Sequence, residues 1–203
     1  MGAIDLDWRQ SVRDEGRRVE VNELVKPGQF RTFTGRYVYP LALRVDDVDL
    51  RDIAHALSNQ CRFAGHIPTF YSVAQHSVLV ASLAPPWAAK WALLHDASEA
   101  YLTDLPSPLK RLPEFSAYRA AEARASMVIA ERFGLDAVCP DEVHAADKLA
   151  LAIEMRDVRK HLNADTAREF GAALDAAPAI GTALLPHAAE AAFLSAAEGL
   201  GLR

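Results

Sequence analysis

From Asp46 onward, apolar residues recur at helical spacing along most of the chain. In DDVDLRDIAHALSN, Leu50, Ile53, Ala54 and Leu57 share one face, and Asp46, Asp47 or Asp49 can serve as N-cap. CRFAGHIP breaks the pattern, and Pro68-Thr69 opens the next segment. SVAQHSVLVASLA predicts a helix stopped by Pro85-Pro86, and the second proline suits the first turn of another through WAAKWALLHDASEAYL. DLPSPLKRLP, with prolines at 106, 108 and 113, predicts a surface loop. A long helix is expected from about Glu114 to Arg132, with Gly134 at its C′ position. PDEVHAADKLALAIEMRDVRKHL opens on proline and acids and closes on basic residues, which complements a helix dipole.

Outside this stretch the pattern changes. FRTFTGRYVYPLALRV is rich in Thr, Tyr, Phe and Val around a Thr34-Gly35 turn signal, which predicts a short hairpin or extended arm. Residues 1 to about 30 are dense in charge, end at Pro27-Gly28 and show no long amphipathic period. They read as an extension, partly helical and loosely packed. From Asn163 the tail is alanine-rich, and Pro178 and Pro186 divide it into two short helices. The expected organisation is an extension over 1–33, a helical core over 34–162 and a helical cap over 163–203 packed on that core. The fold class is all-α, a helical bundle with a short extended arm or hairpin near the N-terminus.

Composition narrows the function. A chain of 203 residues fits one large domain, and 51% hydrophobic residues argue against disorder throughout. A formal charge of −5 makes duplex nucleic acid a poor partner. The N-terminus is too charged for a signal peptide, and no window holds the roughly eighteen apolar residues of a membrane span. Cys61 and Cys139 have no metal-knuckle spacing and read as free thiols of a reducing compartment. The expected location is the cytoplasm, with no membrane partner.

The candidate chemistry lies in His76, His95-Asp96 and Asp147. Imidazole and carboxylate are ligand types for a borderline or hard divalent cation. His76 has apolar neighbours at helical spacing (Val73, Val80 and Leu83), so it reads either as a core histidine or as a ligand. His95-Asp96 ends the apolar run WALL, where a buried aspartate is costly unless paired or metal-bound. Asp147 sits among Ala and Leu, and its alternative is a plain ion pair with Lys148 or another cation.

The H…HD…D pattern, over roughly Thr34 to Leu162, resembles the HD-domain superfamily of metal-dependent phosphohydrolases. HDASEAYLTDLPSPLK is similar to the active-site stretch of bacterial 5′-deoxynucleotidases and of phage deoxynucleotide triphosphohydrolases. The resemblance implies an all-helical core around one divalent ion (Mn, Co, Mg, Zn, Ni or Fe) held by His76, His95, Asp96 and Asp147. It implies Glu99 as the group that hydrogen-bonds the attacking water and Asp104 as the proton donor to the leaving oxygen. Arg62, Phe63 and Lys110 match its substrate-binding positions. Activity on a small (deoxy)nucleotide is implied, either dNMP hydrolysis or tripolyphosphate release, in a homo-oligomer. A regulatory module that binds nucleotide without turnover is the alternative from another class. The GYP marker of the cyclic-dinucleotide branch is absent. The step of 19 residues from His76 to His95 is shorter than in those deoxynucleotidases, implying a trimmed cover over the site.

Overall fold

The computed structural model describes residues 26–203; most of the expected N-terminal extension, residues 1–25, lies outside them. The Thr- and Tyr-rich segment forms the expected hairpin, β1 (Phe30–Arg31) antiparallel to β2 (Tyr37–Val38). Gly35 turns it with φ +92°, a left-handed value that costs glycine little. Thr34 ties the hairpin to the bundle, donating from its amide (2.6 Å) and hydroxyl (2.8 Å) to the Asp52 carboxylate.

The rest is helical: α1 (Leu50–Asn59), α2 (Val73–Leu83), α3 (Ala89–Leu94), α4 (Glu99–Leu102), α5 (Ser107–Lys110), α6 (Ser116–Phe133), α7 (Asp141–Asp157), α8 (Ala164–Ala176) and α9 (Pro186–Gly199). Asp49 caps α1 by accepting from the Arg51 amide. Ser72 caps α2 by accepting from the Gln75 amide. Gly134, left-handed at φ 63°, ends α6 as its position predicts.

Helix α2 is central, packing against α1, α3, α7 and α9. It is apolar nearly all round, as a helix enclosed by others must be. Val73 and Ala74 join Ile53, Leu57, Leu93, Ala189 and Phe193 in one cluster. Val80 joins Trp91, Ala92, Val143, Ala146 and Ala150 in a second. The many alanines at these contacts let the helices approach closely. In the tail, α8 and α9 are the two expected helices, one ending before Pro178 and the other starting at Pro186, and Phe193 of α9 is fully buried in the α1–α2 core.

Two local expectations are corrected. The segment after Pro86 is not one helix: it breaks into α3 and α4 at His95–Ser98. There the amides of Ala97, Glu99 and Ala100 donate to carbonyls three residues back, to Leu94, Asp96 and Ala97, tightening the turn. The proline-rich stretch 104–113 is not wholly loop, since Ser107–Lys110 makes one helical turn. Both cysteines are free, and among the described residues no helix is long and apolar enough to cross a membrane.

Candidate metal site

Three elements meet at the first turn of α2. His76 projects from α2 and is fully buried, His95 and Asp96 come from the tightened turn after α3, and Asp147 comes from α7. Adjacent residues of a regular helix point about 100° apart. The three-residue hydrogen bonds at 94–100 change that direction and bring His95 Nε2 within 3.2 Å of Asp96 Oδ2. His76, His95 and Asp96 form a possible metal-binding triad, each offering one ligand atom to a common point. Asp147 stands beside it, with Oδ1 3.1 Å from His76 Nε2 and 3.9 Å from His95 Nε2. It is the most open of the four, its side chain 41% exposed, so the site faces solvent on the α7 side.

The hydrogen bonds behind the histidines set what they present. His95 Nδ1 lies 2.7 Å from the Ala92 carbonyl, which can only accept, so Nδ1 carries a proton. His76 Nδ1 lies 2.7 Å from the Glu154 carboxylate and is the donor there too. In the neutral rings both Nε2 atoms are then acceptors, and they face each other 3.3 Å apart. Two nitrogens bound to one ion at about 2.1 Å each would stand about 3.0–3.4 Å apart. Two facing lone pairs repel unless a cation lies between them, and the Asp96 carboxylate, with Asp147 beside the histidines, supplies negative charge to such a cation, so the donor set fits a divalent ion. In the bare protein a proton supplies part of that charge. Burial and Arg62 work against the His76 imidazolium, but Glu154 and Asp147 outweigh them and push its pKa up to about 9. Burial likewise opposes ionisation of Asp96, yet His95, His76 and Arg62 hold it well below the usual carboxylate range.

Of the other expected site residues, Arg62 contacts the triad, and Glu99 and Asp104 lie near enough to Asp96 to feel its charge. Arg62 lies behind Asp96, with Nη1 3.8 Å from Oδ2, and its side chain is 13% exposed. Phe63 has left-handed backbone (φ 56°), as does Ala64 (φ 50°), so the turn that presents this pair is strained. Both the Arg62 and Arg159 guanidiniums lie against the Phe63 ring, 5.3 and 5.1 Å from its centroid. Glu99 is buried, and its Oε2 has no hydrogen-bond partner among the described residues. Burial, then repulsion from Asp96 and Asp104, pushes its pKa up to about 10 despite Lys110 and Arg62. Asp104 is half-buried and also raised, first by burial and then by Asp96, against Arg62 and Lys110. Its amide is held by Gln60 Oε1 at 2.9 Å.

Lys110 is engaged differently from a free phosphate clamp. Its Nζ donates to Glu122 at 2.6 Å and stands 3.6 Å from Glu99 Oε1. As folded, Lys110 holds Glu99 in place. His55, a nearby histidine in sequence, turns elsewhere, bonded to Glu190 at 3.0 Å and stacked on Phe33.

The chain is 48% identical over 129 residues to the uncharacterized protein YfdR of Escherichia coli (strain K12), covering 63% of this chain and 71% of that protein. The chain belongs to the YfdR family. The uncharacterized protein RCAP_rcc00048 of Rhodobacter capsulatus is 33% identical over 154 residues, 70% of this chain and 78% of that protein. No family model matches the chain. In this YfdR relative, three residues at the site escaped the sequence reading. Glu154 and Glu122 are the carboxylates that engage Arg62, His76 and Lys110, and Gln60 holds the Asp104 amide. A signal existed for Glu154. It is an acid within the apolar run LALAIEM, two helical turns after Asp147 and therefore on the same face.

Proposed function

We propose that the chain is a metal-dependent phosphohydrolase of the HD-domain kind, cleaving the 5′-phosphate of a deoxynucleoside monophosphate. One observation carries this reading. The His76 and His95 Nε2 atoms and the Asp96 carboxylate come together as a possible metal-binding triad, with Asp147 beside the histidines, Arg62 beside Asp96, and Glu99 and Asp104 near enough to Asp96 to feel its charge. A divalent ion at that point supplies Lewis acidity, polarising a phosphoryl oxygen and acidifying water. Arg62 Nη1, facing Asp96, is placed to donate to a second phosphoryl oxygen. Glu99, steadied by Lys110, would hydrogen-bond the attacking water, and would act as its base once the charge of a bound ion draws its pKa down from the metal-free value of about 10. Asp104 retains its proton above the ordinary range and donates it to the leaving oxygen. Phe63 packs on the sugar or base.

A second reading, release of tripolyphosphate from a triphosphate, is favoured by Arg159. This exposed cation lies against the Phe63 ring at the outer edge of the site, where a longer phosphate chain would extend. The protein should be incubated with deoxy- and ribonucleoside mono- and triphosphates in Mn²⁺, Co²⁺ or Mg²⁺, and the products separated by chromatography. A deoxynucleoside and inorganic phosphate are expected. Tripolyphosphate as the product would favour the second reading, and metal-loaded protein inert on the whole panel would remove both. Nucleotide binding without turnover would instead mark a regulatory module.

A further inference from the structure

Glu154 is a fully buried carboxylate in the last turn of α7. Its neighbours on the helix include Ala150 and Ile153, both fully buried, so an apolar side chain would complete the stripe. A buried carboxylate costs several kcal/mol unless its oxygens are satisfied. Both are satisfied here, by different parts of the site. Oε1 accepts from His76 Nδ1 at 2.7 Å. Oε2 accepts from Arg62 Nε at 3.2 Å and Nη2 at 3.0 Å.

We infer that Glu154 is a positioning residue that couples the ion site to the anion site. Through Oε1 it fixes the His76 ring with the proton on Nδ1, so that Nε2 is directed toward His95, Asp96 and Asp147. Through Oε2 it occupies the Nε–Nη2 edge of Arg62. The other guanidinium nitrogen, Nη1, is left turned toward Asp96 at 3.8 Å, beside the point where the ion would lie. An arginine offers its donors in a rigid plane, so fixing one edge fixes the direction of the rest. One side chain thereby sets the ligand that receives the cation and the donor that receives the anion. The Arg62 half of this inference rests on the proposed phosphohydrolase reading; the His76 half needs only that an ion binds.

The test uses the full chain and no turnover. Calorimetric titration with Co²⁺ should show a dissociation constant about 10–100-fold weaker for Glu154→Gln than for wild type. The amide can accept through only one oxygen and cannot satisfy both partners. For metal-saturated protein, inorganic phosphate should bind severalfold more weakly to Glu154→Gln. In an Arg62→Lys background the same change should have a smaller effect, because the two residues act together. Wild-type protein loaded with Zn²⁺ provides a readout that needs no variant to fold. Long-range ¹H–¹⁵N spectra should show the His76 proton on Nδ1 and the metal-shifted nitrogen as Nε2. Wild-type Co²⁺ affinity in Glu154→Gln, or a His76 ring without a proton on Nδ1, overturns the inference. Weakened Co²⁺ binding in a protein that hydrolyses no nucleotide would instead remove the proposed activity and leave the role of Glu154 toward His76 standing.

Discussion

Replacing Asp96 with alanine is expected to lower nucleotide hydrolysis by a factor of about 10³ or more and to abolish tight binding of a divalent ion. Asp96 is the hub of the site. Its Oδ2 lies 3.2 Å from His95 Nε2, 3.6 Å from His76 Nε2 and 3.8 Å from Arg62 Nη1. Its removal takes away one anionic ligand and leaves the buried guanidinium of Arg62 with Glu154 as its remaining carboxylate contact. The fold should survive, because the turn at 95–99 is held by backbone bonds such as Ala97 N to Leu94 O and Glu99 N to Asp96 O. The circular dichroism spectrum should therefore match wild type while phosphate release disappears. Asp96→Asn, which keeps the shape and removes the charge, should be nearly as defective. Activity within tenfold of wild type in either variant would place the chemistry elsewhere on the molecule.

Glu99→Gln is expected to lose activity and gain stability, with the gain dependent on pH. The loss should be about 10²–10⁴-fold in kcat, the range attributed to a general acid or base. The gain follows from the raised pKa. In the metal-free protein, burial, Asp96 and Asp104 push Glu99 up to about 10, from an ordinary 4.5. A group raised on folding contributes stability that is fully present below its unfolded pKa and is lost as pH rises toward its folded one. Wild type therefore loses stability between about pH 4.5 and 10 on account of Glu99, and a glutamine there loses none. In chelator at pH 8 the variant should be more stable by about 2 kcal/mol, or roughly 4–8 °C in Tm for a chain of this size. Near pH 4 the two melting curves should coincide. A variant less stable than wild type at pH 8, or a difference that does not change with pH, would contradict this description of Glu99.

Much of the site was legible because polar residues in apolar runs carry their own warning. His95-Asp96 closes WALL and Asp147 interrupts an Ala-Leu stretch, and burial cost alone marks both for pairing or metal binding. Glu154 gave the same warning inside LALAIEM, and its place two turns from Asp147 aims it at the same centre. The helices around them follow from period and caps: Asp49 and Ser72 cap α1 and α2, and Gly134 ends α6. What could not be read locally depends on partners distant in sequence or on small changes of backbone. The tightening at His95–Ser98 leaves no mark in a run that otherwise propagates as helix, yet it lets neighbouring side chains converge. The left-handed backbone at Phe63 and Ala64 is unfavourable for both residue types, so no propensity announces it. Lys110 reads as a free cation in a proline-rich loop, and only the packing of α5 against α6 gives it Glu122.

On the proposed reading, His76, His95, Asp96 and Asp147 together hold one divalent ion. Crystals grown with Mn²⁺ and measured near the manganese absorption edge test it directly. One anomalous peak is expected within about 2.0–2.3 Å of His76 Nε2, His95 Nε2 and an oxygen of each of Asp96 and Asp147. A peak bound by other residues, or none at this point in Mn²⁺-soaked crystals, would contradict it.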